Sequence, residues 1–215
     1  MSYSLTLAGI ALANLLAIIS PGPAFLLVSR TAASRSRALG LATGLGVAAA
    51  TTLWAVAATF GVAVLMTRLT TLYGLVQLVG GAYLIWLGLS AWRDHGDAPS
   101  GTASAAAALG GTPSAMELRR AFLTGLSLTL TNPKVVVFFS SIFVAMLPAQ
   151  APLWVRLAAL GIVAVQENAW YMLVACLFSQ ARMQAAYQRI KGGIDRVMGA
   201  VFIAFGARIV ALARI

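Results

Sequence analysis

Six apolar stretches separated by polar or basic connections organise the chain: residues 5–28, 38–66, 72–91, 121–147, 157–178 and 197–213. A hydrocarbon core of about 30 Å needs about 20 apolar residues as helix, so each stretch predicts a membrane-spanning helix, the last of them short. The runs are continuous and lack period-two alternation, which argues against membrane strands. Two of them are interrupted from within, by Ser20-Pro21-Gly22-Pro23 in the first and by Asn132-Pro133-Lys134 in the fourth. Proline removes a backbone donor and clashes with the preceding turn, and glycine adds conformational freedom. The pattern therefore predicts an all-α polytopic membrane protein of six transmembrane helices, with local unwinding in two of them.

Composition fits that solvent. Of the 215 residues, 60% are hydrophobic and 9% charged, with a mean hydropathy of +0.90. Soluble domains carry about 25% charged residues, so a water-facing surface around a single core is excluded. The formal net charge of +10 would point first to nucleic acid in a soluble chain. Here the basic residues flank the apolar runs and read as topology determinants facing anionic lipid, with no nucleic-acid partner. The first, third and fifth connections carry Arg30, Arg35, Arg37, Arg93, Arg119, Arg120, Arg182, Arg189, Lys191 and Arg196. The opposite side carries Arg68, Arg156 and Arg214, while Lys134 and Arg208 fall within spans. The expected location is the bacterial inner membrane, with both termini periplasmic. Cys176, the single cysteine, lies in an apolar run and reads as a small hydrophobe. The N-terminus, Met-Ser-Tyr-Ser, has no basic region and predicts no signal peptide.

Residues 94–117, rich in Gly, Ala, Ser, Thr and Pro, predict a flexible cytoplasmic linker between a first three-helix unit, 1–93, and a second, 118–215. His95, the only histidine, sits in that linker, where a solvated role is expected. The two units resemble each other. An offset of 118 residues brings Val79, Gly81, Ala82, Ile85 and Gly88 onto Val197, Gly199, Ala200, Ile203 and Gly206. Near the start of each unit an offset of 110 to 112 pairs the Pro-Gly-Pro segment with Asn132-Pro133. An odd number of spans per repeat forces the repeats into opposite orientations, the arrangement of many transporters.

The breaks are the first candidates for chemistry. Interrupted helices at matching places in two repeats mark a substrate site, because a broken helix offers free N–H groups and a positive dipole end to a carboxylate. Pro21, Gly22, Pro23, Asn132, Pro133 and Lys134 are thus candidate pathway residues. The plainer alternative is a pair of kinks, with Asn132 as cap, Pro133 at the first helical position and Lys134 snorkelling. Glu167 is the only acidic residue well inside a span. An ionised group there costs roughly 3 kcal/mol or more, so it pairs or lines a pathway. With Trp170 and Tyr171 at i+3 and i+4 it forms one amphipathic face. Glu167 would exchange protons or bind a substrate ammonium, while Lys134 would serve a carboxylate or balance Glu167; a structural ion pair is the alternative. Asn14 and Gln77 are second-rank candidates, each also suited to interhelical hydrogen bonding, and Arg208 could snorkel outward or face a cavity. Gly40, Gly44 and Ala48, and again Gly81 and Gly88, read as packing positions for close helix approach. The chain has no HExxH, no close carboxylate pair in a span, no Walker loop and no GxGxxG before a strand. An enzyme, a metal site, a cofactor and ATP hydrolysis are therefore not expected.

In this order and spacing the Ser20–Pro23 motif, the basic connection before a Gly-rich second span, Gly80-Gly81-Ala82-Tyr83-Leu84-Ile85-Trp86-Leu87-Gly88, Asn132-Pro133-Lys134 and the closing Gly199…Gly206 helix resemble the LysE/RhtB family of amino-acid exporters over nearly the whole chain. The resemblance implies efflux of amino acids or derivatives, driven by the proton or membrane-potential gradient. It places Pro21, Gly22, Pro23, Asn132, Pro133 and Lys134 in the family's functional core. Many members carry an acidic residue in the second span shortly before a Trp; Ala50-Thr51-Thr52-Leu53-Trp54 has none. The protein then either uses Glu167 instead or couples differently. A gated small-solute channel and a membrane assembly subunit are the competing readings, and a homodimer through small-residue faces is compatible with the pattern.

Overall fold

The computed structural model describes residues 3–20, 22–68, 78–79, 81–86, 88–90, 112–148, 150–178 and 181–212. Pro21, Gln77, His95 and most of the predicted linker lie outside them. Seven long helices run in order: α1 Tyr3–Ile19, α2 Pro23–Ser34, α3 Arg37–Arg68, α4 Ala115–Leu130, α5 Pro133–Met146, α6 Leu153–Leu177 and α7 Ala181–Leu212. A short apolar helix, Gly81–Ser90, lies between α3 and α4.

Prolines and caps set the boundaries. Pro23 and Pro133 each occupy the start of a helix, where a missing N–H costs nothing. The expected breaks are thereby realised as two bent pairs, α1–α2 at 55° and α4–α5 at 60°. A reciprocal capping box opens α4: Ser114 Oγ accepts from Glu117 N at 3.3 Å, and Glu117 Oε2 accepts from Ser114 N at 2.9 Å. The helix therefore begins at Ala115, ahead of the apolar run that starts at 121.

Arg37–Gly61 of α3 and Leu153–Leu177 of α6 are each 25 residues long and apolar enough to cross a membrane, and each bent pair is apolar enough for a broken span or a re-entrant loop. The third and sixth predicted spans contain the shorter apolar helices Gly81–Ser90 and Gly199–Ala211. The fifth connection is largely the first half of α7: residues 181–191 are rich in good helix formers (Ala, Arg, Met, Gln and Lys) and have no proline, so the last helix starts ahead of the apolar run at 197.

The centre of the bundle is α3, which packs on α2, α4, α5 and α6. Glycines permit this. A Cβ at Gly46 would strike the Phe122 carbonyl of α4, and one at Gly125 would strike the Thr43 carbonyl of α3, so these two backbones touch. On other faces, a Cβ at Gly40 would lie 2.5 Å from Ala32 Cβ of α2, and one at Gly44 3.0 Å from Tyr171 Cβ of α6. Hydroxyls in this apolar helix satisfy themselves on the preceding turn, as Thr43 does on the Leu39 carbonyl at 2.9 Å and Thr59 on that of Ala55 at 2.7 Å. Large apolar side chains such as Leu5, Leu12, Leu53 and Val165 stand exposed around the bundle, a surface suited to lipid.

The short helix Gly81–Ser90 and the end of α7 cross with backbones close together. A Cβ on Gly88 would lie 2.5 Å from the Gly199 carbonyl, and one on Gly206 would lie 2.5 Å from that of Gly81. Ile203 and Ile85 flank these glycines reciprocally, at 2.7 and 2.8 Å. The 118-residue offset converts each contact into the other, so the two segments meet antiparallel about a local two-fold.

Candidate functional site

Because both bent pairs break inside the bundle, the starts of α2 and α5 converge on one cavity of about 530 Å³, its open mouth included. Side chains of α1 to α6 line it. Ile18, Val135, Phe138 and Phe139 make its walls apolar, and the polar groups are few: Asn14, Ser20, Thr51, Thr129, Asn132, Lys134, Glu167 and Tyr171. Small-solute sites have this character, apolar walls with a few oriented polar groups.

The two helix starts differ. At α5, Asn132 Oδ1 accepts from Lys134 N at 3.0 Å, so this end caps itself. At α2 the cap position is Gly22, which makes no side-chain cap. The Lys134 ammonium stands beside this open end, 3.9 Å from where a Gly22 Cβ would be, and 5.7 Å from the centroid of the Phe202 ring. A positive helix end and an ammonium on one side of a cavity form an anion-binding arrangement.

Across the cavity, Glu167 of α6 is 2% exposed and lies beside Thr51 of α3. Thr51 donates to the Val47 carbonyl at 3.0 Å. From α1, Asn14 is 1% exposed; its Nδ2 donates to Gln166 Oε1 at 3.0 Å, and Gln166 Nε2 donates to the Ala11 carbonyl at 3.0 Å. Asn14 Oδ1 and Thr129 Oγ1 are buried without a hydrogen-bond partner. Buried polar atoms are nearly always paired, so two orphans lining one cavity mark where a bound solute or water completes the structure.

The structure thus brings together Gly22, Pro23, Asn132, Lys134, Glu167, Tyr171 and Asn14 of the residues expected from sequence. Pro133 starts α5 and is exposed, outside the lining. Trp170, expected on one face with Glu167, turns instead into the cluster of Phe25, Val28 and Val174. Arg208 is exposed on α7 and does not line the cavity. Pro21 and Gln77 lie outside the described residues. Sequence reasoning passed over Thr51, Thr129 and the Phe138–Phe139 wall. Thr129 carried one signal, its place one turn before the second break.

A lipid-compatible helical bundle with broken helices around a half-polar cavity defines a polytopic membrane protein with a cavity for a small solute. The LysE type translocator family profile matches residues 15–212, and the chain belongs to that family. It is 32% identical over 204 residues to the threonine efflux protein of Escherichia coli, covering 94% of this chain and 95% of that one. A threonine efflux protein of Salmonella typhi is 31% identical over 204 residues, with the same coverage. An uncharacterized membrane protein of Haemophilus influenzae is 29% identical over 205 residues, 92% of each chain. No solved structure matches the chain significantly. Membership makes the protein a membrane translocator and not an enzyme.

Proposed function

We propose that the protein is a secondary-active exporter that carries amino acids or closely related small metabolites out of the cytoplasm, coupled to the proton or membrane-potential gradient. The observation that carries this reading is the Lys134 ammonium set beside the uncapped start of α2, in a cavity that also holds a buried carboxyl, Glu167. One side of the cavity suits a substrate carboxylate, and the other offers oxygen acceptors for an ammonium. The relatives that are threonine efflux proteins support the same direction of transport.

Glu167 is the proposed proton-exchanging group, and Gly22, Pro23, Asn132, Lys134 and Tyr171 form the pathway around it. Thr51, beside Glu167, gives its single hydroxyl hydrogen to the Val47 carbonyl. The meeting of Glu167 with Thr51 supports the view that Glu167 stands in for the second-span acid of other members.

The architecture is proposed as six spans in two inverted repeats, joined by a cytoplasmic linker, with both termini periplasmic in a bacterial inner membrane. The recurring order of bent pair, long span and short apolar helix supports it, as does the two-fold contact of Gly81 and Gly88 with Gly206 and Gly199. The test is efflux from proteoliposomes preloaded with labelled amino acids, with and without an imposed proton gradient. Gradient-stimulated efflux of one or a few is expected. Flux that no gradient drives uphill would replace the carrier by a channel, and no flux of any amino acid would overturn the substrate class.

A further inference from the structure

The orientation of one buried amide carries a further inference, which rests on the exporter reading above. A backbone carbonyl accepts and cannot donate. Because the Ala11 carbonyl takes a hydrogen bond from Gln166 Nε2, the other end of that amide, Oε1, must face Asn14. Gln166 Oε1 likewise only accepts, so Asn14 turns its Nδ2 to it. The remaining Asn14 oxygen is left buried and unpartnered in the cavity wall. The chain of donors and acceptors therefore leaves an acceptor as the unpaired end of Asn14, a residue that lines the cavity.

We infer that Asn14 reads the ammonium end of the substrate, and that Gln166 is a positioning residue that holds Asn14 Oδ1 toward the cavity. An ammonium brings three donors and no acceptor, the complement of an orphaned amide oxygen. The charged groups facing the same cavity are Lys134 and Glu167. Lys134 repels an ammonium and suits the other end of a zwitterion. Glu167 attracts one only while it is ionised. A neutral acceptor at Asn14 lets the ammonium bind whichever protonation state Glu167 holds, which separates substrate reading from proton exchange.

The experiment compares efflux of L-threonine with that of β-hydroxybutyrate, the same skeleton without the ammonium, from proteoliposomes carrying the full-length protein. Wild type should prefer threonine by at least about tenfold in kcat/KM. Asn14→Leu and Gln166→Leu should bring the two within about twofold. Gln166→Glu should keep the wild-type preference, because a protonated carboxyl can donate to the Ala11 carbonyl and still accept from Asn14 Nδ2. A merely structural role would lower both fluxes together and leave their ratio unchanged, and Gln166→Leu with Gln166→Glu keeps the test open if Asn14→Leu does not fold. Threonine export with an unaltered preference in Asn14→Leu and Gln166→Leu would overturn the assignment and leave the exporter standing. Absence of amino-acid export by wild type would overturn the exporter reading and this assignment with it.

Discussion

At the first break the cap position is Gly22, with φ −105° and ψ −176°; at the second it is Asn132, with φ −81° and ψ 109°. Both are extended conformations that any residue adopts, so glycine is not required at 22 by its backbone. Nor is space the reason, since a Cβ there would make only an ordinary contact with Lys134 Nζ at 3.9 Å. What Gly22 lacks is an acceptor. Asn132 satisfies its own helix start through the Lys134 N–H, and that lysine's side chain then reaches the start that has no such cap. Two nearly equal bends, 55° and 60°, thus share a scaffold and divide the chemistry: one end is closed on itself, and the other is left open for an anion.

That contrast can be broken at either end. The largest effect is expected from Lys134→Met, which removes the cation from the open end and should reduce amino-acid efflux on the order of a hundredfold, with Lys134→Arg recovering part of it. Next is Glu167→Gln. It removes the exchangeable proton while keeping the shape, and efflux should lose its stimulation by an imposed proton gradient; unaltered rate and pH dependence would remove Glu167 from the coupling. Gly22→Asn makes the first break resemble the second. The new side chain would occupy the helix start that the substrate needs, and KM should rise about tenfold while folding is retained. The smallest effect is expected from Asn132→Ala, which should cost about 1 kcal/mol of stability through the lost cap and change efflux only severalfold. Thermal unfolding in detergent beside initial efflux rates separates the last two.

Much of this was legible in the chain because lipid leaves few alternatives. Backbone in hydrocarbon must bond internally, so apolar runs read as helices, and prolines inside them read as breaks. The breaks at residues 20–23 and 132–134 and the glycine match at Gly81/Gly199 and Gly88/Gly206 were local signals of this kind. Contacts between helices were not. Gly46 and Gly125 fix the approach of α3 to α4, yet each sits among many other small residues, and periodicity does not say which helix a glycine will meet. Trp170 and Tyr171 show the limit of the spacing rule. From Glu167, three residues turn about −60° and four about +40°; Tyr171 lines the cavity and also belongs to the cluster of Phe25 and Val174, while Trp170 packs on that cluster alone. Asn14 and Thr129 became informative only when their oxygens proved buried and unpaired, a property of the assembled bundle.

The central claim is that the open start of α2, with Lys134 beside it, takes the substrate carboxylate. Competition of L-threonine efflux by threoninamide, which lacks that carboxylate, tests it most directly in wild type, Gly22→Asn and Asn132→Ala. The account predicts that threoninamide competes at least about tenfold less well than unlabelled threonine in wild type and Asn132→Ala. In Gly22→Asn that difference should largely vanish. A difference that survives in Gly22→Asn and vanishes in Asn132→Ala would contradict it, and would move the carboxylate to the second break.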